Sequence, residues 1–351
     1  MLYQTKNGHG GNVFTEGPLL DFSVNTNPFG TPEWIIEAVQ ESIKHINSYP
    51  DPHCRKAVQA ISEYENVPAD TILLGNGAAE LIYSFCSAVH PRRALVTAPT
   101  FSEYENALKI SGSIVFHHQL TPDNDFDAEG SLLSAIEAHS PEAVFLCSPN
   151  NPTGRLINSS LLTEIMDLCR HKDIFLFLDE CFLDFTNEPD LLKDQLPANP
   201  KSVILKAFTK SYALAGLRIG YVLNSDPGLL RKMSRMTQPW NISLPAQAAA
   251  AVIHQGNTYI TETRSFIQKE RRWLQEALKG MGIYVCPSDA NFLLFRTEPG
   301  LVPALRKEKI AIRNCGNFHG LDDNWYRIAV RMHHENEILI NAVRKVLSEV
   351  R

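Results

Sequence analysis

Ala207-Phe208-Thr209-Lys210-Ser211-Tyr212-Ala213-Leu214-Ala215-Gly216-Leu217-Arg218 follows a short apolar run, Val203 to Leu205, that reads as a strand. A lysine just past such a strand sits where the chain leaves the interior, and desolvation there takes charge off its amine. A neutral lysine amine condenses with a carbonyl to give a Schiff base. Arg218 comes shortly after, and Gly216 is read as allowing close approach of the backbone. A buried arginine near a reactive lysine implies an anionic group held close to both.

Outward from this stretch, similar runs recur: Thr71–Leu74, Ala94–Thr97, Ile114–Phe116, Ala143–Cys147, Ile174–Leu178 and Ile219–Leu223. Runs this apolar suit strands covered on both faces. Amphipathic stretches alternate with them, which implies βαβ units in a three-layer α/β domain with a mostly parallel, seven-stranded sheet. Residues 1–32, rich in Gly, Asn and Pro, read as an irregular arm. Thr31-Pro32 opens a helix over Glu33–Ile46, and the large domain is expected over 33–245. Residues 246–351 read as a smaller α+β domain. It has a long charged helix (Thr258–Lys279), short strands (Ile283–Cys286, Phe292–Phe295, Ile310–Arg313, Tyr326–Arg331) and a closing helix near Glu335–Val350.

In parallel α/β sheets ligands bind beyond the carboxyl ends of the strands. Five such ends carry unusual residues here. Gly75-Asn76-Gly77-Ala78-Ala79-Glu80 follows the first strand and opens a helix, so Gly77, Ala78 and Ala79 present amides either to a phosphate or within a tight turn. Phe101, after the second strand, either covers an aromatic ligand or fills core. Asn151, in Asn150-Asn151-Pro152-Thr153-Gly154, either donates to a ring hydroxyl or belongs to a plain turn. Asp179 ends the very apolar Ile174–Leu178 run, where a carboxylate is costly unless paired. A protonated pyridine nitrogen is a suitable partner, and an N-cap or an arginine is the structural alternative. Lys210 follows the sixth strand. An aldehyde, a phosphate and a pyridine ring together describe pyridoxal phosphate.

The 351 residues carry a net charge of −6, which argues against nucleic acid or an anionic membrane as main partner. Seven cysteines without CxxC spacing suit a reduced, cytoplasmic protein. No signal-like segment, membrane-length apolar run or metal-ligand spacing is read.

With these residues placed, the chain resembles the fold-type I pyridoxal phosphate enzymes of the class I/II aminotransferase group along nearly its whole length. The segments that carry the resemblance are Asn150–Gly154 and Thr209-Lys210 with Gly216-Leu217-Arg218. The resemblance implies that Lys210 binds the cofactor aldehyde and Asp179 pairs with the ring nitrogen. It also implies that Asn151 contacts the ring hydroxyl, that Phe101 stacks on the ring, and that Ala78, Ala79, Thr209 and Arg218 hold the phosphate. Tyr49, in Ser48-Tyr49-Pro50, matches a tyrosine that reaches the phosphate of a neighbouring subunit, which implies a homodimer with shared sites. Arg327, in Trp325-Tyr326-Arg327-Ile328-Ala329, matches an arginine that clamps the substrate carboxylate.

Two subfamilies compete, the histidinol-phosphate aminotransferases and the L-threonine-O-3-phosphate decarboxylases of cobalamin biosynthesis. Several segments are more similar to the decarboxylases: His9-Gly10-Gly11-Asn12, Asp21 to Gly30, Phe182 where the aminotransferases carry a tyrosine, Ile312-Arg313-Asn314-Cys315, and Arg331. By that similarity His9, Gly10, Asn25 and Arg313 contact substrate, the arginine at its phosphate, with Asn151 and Arg327 beside them. Ala207 departs from the Ser or Thr common at its position. The expected reaction is loss of CO2 from L-threonine O-3-phosphate to give (R)-1-aminopropan-2-ol O-phosphate, with amino transfer to 2-oxoglutarate as the alternative. A non-catalytic, cofactor-binding regulator is the remote alternative. It would be expected to carry a DNA-binding domain, for which this sequence leaves no segment.

Overall fold

The computed structural model describes residues 9–11, 13–14, 19–188 and 190–350. In chain order its strands are β1 (Leu20–Asp21), β2 (Ile72–Gly75), β3 (Arg93–Ala98), β4 (Ile114–Gln119), β5 (Ala143–Cys147), β6 (Phe175–Asp179), β7 (Ser202–Ala207), β8 (Gly220–Leu223), β9 (Tyr284–Val285), β10 (Phe292–Arg296), β11 (Ile310–Ala311), β12 (Arg313–Asn314) and β13 (Trp325–Ala329). The central sheet has seven strands in the order β2-β8-β7-β6-β5-β3-β4. All pairings are parallel except those of β8, which runs antiparallel to both β7 and β2.

The strands are apolar throughout because helices cover both faces, and alternate residues enter two different cores. Leu95, Val144, Leu146, Leu176, Leu178 and Ile204 pack in one layer with the helices Arg55–Glu65 and Ser159–His171. Val96, Phe145, Phe177, Val203 and Leu205 pack in the other with Ala78–Val89 and Ser102–Ile110. By this alternation Asp179 and Ala207 share the second face, while Glu180 and Lys206 share the first.

The smaller sheet is antiparallel, in the order β12-β13-β10-β9, and is covered by the helices Asn257–Lys279 and His333–Val350. Ala246, Ala249, Ala250, Ile253 and Ile260 pack in the core of the large sheet, and Ile267, Leu274 and Leu278 in that of the small one. The change of core therefore falls inside the long helix. The arm strands across both units. β1 pairs with β11, and Phe22 enters the small core. Asn27 then donates its backbone N–H to Lys210 O at 3.0 Å and its side-chain amide to Ser211 O at 2.7 Å.

Candidate active site

A cleft of about 480 Å³ opens at the carboxyl edge of the central sheet. The ends of β2, β3, β5, β6 and β7 reach it, and β8 explains how Arg218 does too. Because β8 is antiparallel, with Gly220 opposite Ala207 and Gly75, the residues leading into it, Arg218 among them, arrive at that same edge. A parallel strand would have delivered Arg218 to the far side.

Lys210 lies in the short turn of helix that follows β7 and lines the cleft. Its amine is pushed down to about 8, first by burial and next by the charge of Arg327. The side-chain amine makes no hydrogen bond or ion pair among the described residues. Arg218 also lines the cleft, exposed at its mouth rather than buried as the sequence suggested, and has no carboxylate partner among the described residues, only Ala215 O at 3.3 Å. A structural ion pair for this arginine is thus ruled out within the described chain.

Gly77 precedes Ala78 and Ala79 at the start of the same helix, and its own N–H is donated to Gly75 O at 2.8 Å. It stands at φ +80°, where a Cβ would collide with the Arg218 guanidinium. The glycine that admits Arg218 is therefore Gly77, whereas Gly216 has open space around it. Ala78 and Ala79 line the cleft as the first residues of the helix Ala78–Val89, whose opening amides have no partner within the helix. Thr209 and Phe101 line it as well.

Asp179 is buried at the end of β6. Neither alternative foreseen for it, an N-cap or an arginine pair, is what holds it. Its Oδ1 accepts from Cys181 N–H at 2.9 Å and its Oδ2 from the Tyr104 hydroxyl at 2.6 Å. Burial raises its pKa, opposed by those two donors and by Lys210.

Arg313 and Arg327 face each other across the β12–β13 pair. Both residues line the cleft, so two guanidinium groups stand at one side of it. Arg327 is buried, and burial lowers its guanidinium to about 10. It donates to Asn151 Oδ1 and, at 2.9 Å, to Ser23 O, and it lies 5.5 Å from the Phe292 ring. Its Nε has no hydrogen-bond partner among the described residues. With Oδ1 of Asn151 taken by Arg327, the amide NH2 of Asn151 is the end left for a ligand. Arg313 lies 5.5 Å from the Phe318 ring and donates to Asn317 Oδ1.

From the arm, His9, Gly10 and Asn25 line the cleft. His9 Nε2 lies 3.0 Å from Glu103 Oε1, and its ring lies 5.7 Å from Phe101. Asn25 is buried, and its Oδ1 has no hydrogen-bond partner among the described residues. Two residues singled out from the sequence stand elsewhere. Tyr49 is 79% exposed and stacks on Trp240 at 4.5 Å. Arg331 pairs with Glu335 at 2.7 Å, outside the cleft. The sequence reading passed over Ser23, Glu103, Tyr104, Cys147 and Phe318, which line the cleft too. Tyr104 carried one usable signal, its place one helical turn after Phe101.

The donor set fits pyridoxal phosphate: an amine of lowered basicity, a buried carboxylate with a free lone pair, and an uncompensated arginine beside a helix N-terminus. None of the helices among the described residues is long and apolar enough to cross a membrane.

Comparisons with known proteins agree with this geometry. The family model described as aminotransferase class I and II matches residues 17–346. A threonine-phosphate decarboxylase of Salmonella typhimurium is 36% identical over 97% of this chain and 97% of its own length. An adenosylcobalamin biosynthesis bifunctional protein of Leptospira interrogans is 30% identical over 96% of this chain, which spans 41% of that longer protein. The crystal structure of a histidinol-phosphate aminotransferase from Clostridium acetobutylicum superposes with a TM-score of 0.87 at 32% identity, covering 94% of this chain and 100% of that one. The chain belongs to the class I and II aminotransferase family and is an enzyme dependent on pyridoxal phosphate.

Proposed function

We propose that this protein decarboxylates L-threonine O-3-phosphate to (R)-1-aminopropan-2-ol O-phosphate, as a step of cobalamin biosynthesis. The observation that carries the reading is the cross-strand pair Arg313 and Arg327, two cations at one side of the cleft in addition to Arg218. An O-phosphorylated amino acid brings two anions to answer them. Histidinol phosphate brings one, and of the two aminotransferase substrates only 2-oxoglutarate brings two. The likeness to the Salmonella decarboxylase and to the Leptospira cobalamin protein supports the same choice.

Pyridoxal phosphate, when bound, supplies an aldehyde for the lysine and a ring that takes up the electron pair left by a bond broken at the substrate α-carbon. The residues that would hold it are Lys210 at the aldehyde, Asp179 at the ring nitrogen and Phe101 on the ring face. Asn151 would serve the ring hydroxyl, and Arg218, Thr209 and the Ala78 and Ala79 amides the phosphate. Arg327 takes the substrate carboxylate in bidentate fashion, and Arg313, His9, Gly10 and Asn25 take its phosphate end. Fixing both ends of the substrate would set which bond of its α-carbon is the one broken. Lys210 returns a proton to the α-carbon. Phe182, buried against Phe292 at 5.0 Å, offers no hydroxyl to the ring oxygen.

We place the enzyme in the cytoplasm as a homodimer. All seven cysteines are free thiols, and the exposed Tyr49–Trp240 stack offers a surface for a second copy. The deciding assay pairs CO2 release from L-threonine O-3-phosphate with amino transfer from histidinol phosphate to 2-oxoglutarate. Release of CO2 without comparable transfer is expected, and Arg313→Ala should lower turnover of the phosphorylated substrate selectively. Efficient transfer without CO2 release would overturn the proposal in favour of the aminotransferase reading.

A further inference from the structure

Tyr104 is fully buried, yet its hydroxyl ends at the one carboxylate meant for the ring nitrogen. Its ring needs no hydroxyl to pack. It lies edge-on to Phe101 at 5.6 Å and tilted on Phe145 at 5.9 Å, contacts that a phenylalanine would keep. The two oxygens of Asp179 are answered separately, Oδ2 by Tyr104 and Oδ1 by Cys181 N–H. Each donor withdraws charge from the carboxylate and weakens its hold on a proton. The other titratable groups facing Asp179 are the Cys147 thiol on β5, the Cys181 thiol, and the Lys210 amine. Burial and the nearby carboxylate hold the Tyr104 phenol well above its usual range, so it stays a donor.

We infer that Tyr104 is a positioning residue that keeps the shared proton on the cofactor's ring nitrogen rather than on Asp179. The inference rests on the function proposed above. With the hydroxyl present, Asp179 is a weak base and the ring nitrogen keeps its charge, which makes the ring a better electron acceptor. Without it, the proton shifts towards Asp179, the ring becomes neutral, and the nitrogen of the cofactor-bound Lys210 holds its own proton more tightly.

The experiment follows the visible absorbance of the cofactor-loaded protein across pH, with 15N NMR of ring-labelled cofactor as a second reading. In Tyr104→Phe the absorbance midpoint should rise by about one pH unit, the scale of one hydrogen bond to a charged group. The 15N signal should move towards that of a neutral pyridine. Site-specific 3-fluorotyrosine at 104, a stronger donor of nearly the same shape, should move both readings the other way, and it keeps the test open if the phenylalanine variant folds poorly. A hydroxyl that merely satisfies packing would lower the melting temperature of Tyr104→Phe and leave both readings unchanged, and that result overturns the inference. Absence of any cofactor band in the unaltered protein would overturn the parent proposal, and this one with it. A normal band that ignores position 104 overturns this one alone.

Discussion

At the scale of single residues, Lys210 carries a cost that the chemistry turns to use. Its ammonium is desolvated, and its pKa falls from an ordinary value of about 10.4 to about 8. Between those two values the unfolded chain binds more protons than the folded one, so this residue makes stability rise with pH. Below about pH 8 its destabilising contribution is fully present, and it fades as pH climbs towards 10.4. The apoprotein of Lys210→Met should therefore be more stable than the unaltered apoprotein at pH 7, and the difference should shrink towards zero by pH 10. Urea midpoints of the two proteins at both pH values check this, because all other titrations cancel in the difference. An equal gap at both values would contradict the burial of this amine. Lys210 and Asp179 were legible in the sequence for the same reason that they are costly: each is a charge where the pattern demands apolar groups. Tyr104 and Phe318 were not. An aromatic residue in an amphipathic stretch looks like core filling, and only the folded chain shows what lies at its tip.

At the scale of elements, the sequence placed all seven central strands but cut several short. The apolar run Val203 to Leu205 stopped before Lys206, whereas β7 continues to Ala207. A ladder goes on wherever a polar residue finds a partner, and such partners come from distant parts of the chain. The Lys206 amine donates to Asp190 Oδ2 at 2.6 Å and to both oxygens of Glu65, at 3.2 and 3.1 Å. Glu65 also accepts from Tyr221 and, at 3.1 Å, from Lys193. The direction of Ile219–Leu223 and the division of Ile310–Arg313 were equally hidden. Ala311 pairs with the arm and Arg313 with β13, so one run serves two sheets. Within the buried cluster, Lys206→Met should cost about 3–5 kcal/mol, because it strands carboxylates away from water. Lys193→Met, at the partly exposed rim, should cost under about 1 kcal/mol. Denaturant unfolding separates the two. Equal losses would mean that the cluster is better hydrated than its burial indicates.

At the scale of the whole molecule, one chain brings to its cleft most of the residues proposed for cofactor and substrate, whereas Tyr49 stands apart from it. It projects from the surface, 79% exposed, stacked on a Trp240 that is itself 47% exposed. Ile46 and Met236, at 67% and 50% exposure, lie close by in sequence to the two rings. A large exposed apolar patch is the kind of surface to which another protein docks. No reading of strands and helices could have found its purpose, since exposure belongs to the folded surface. Only the resemblance supplied the expectation that this tyrosine serves a second copy. If that is its use, assembly and cofactor affinity rise and fall together. Tyr49→Ser combined with Trp240→Ser should shift the sedimenting species from dimer towards monomer. It should also weaken retention of pyridoxal phosphate, while Tyr49→Phe should leave the dimer intact and weaken retention alone through loss of the hydroxyl. A monomeric double variant that holds the cofactor as firmly as the unaltered protein would show that the cleft is complete within one chain. Tyr49 would then be a purely structural contact.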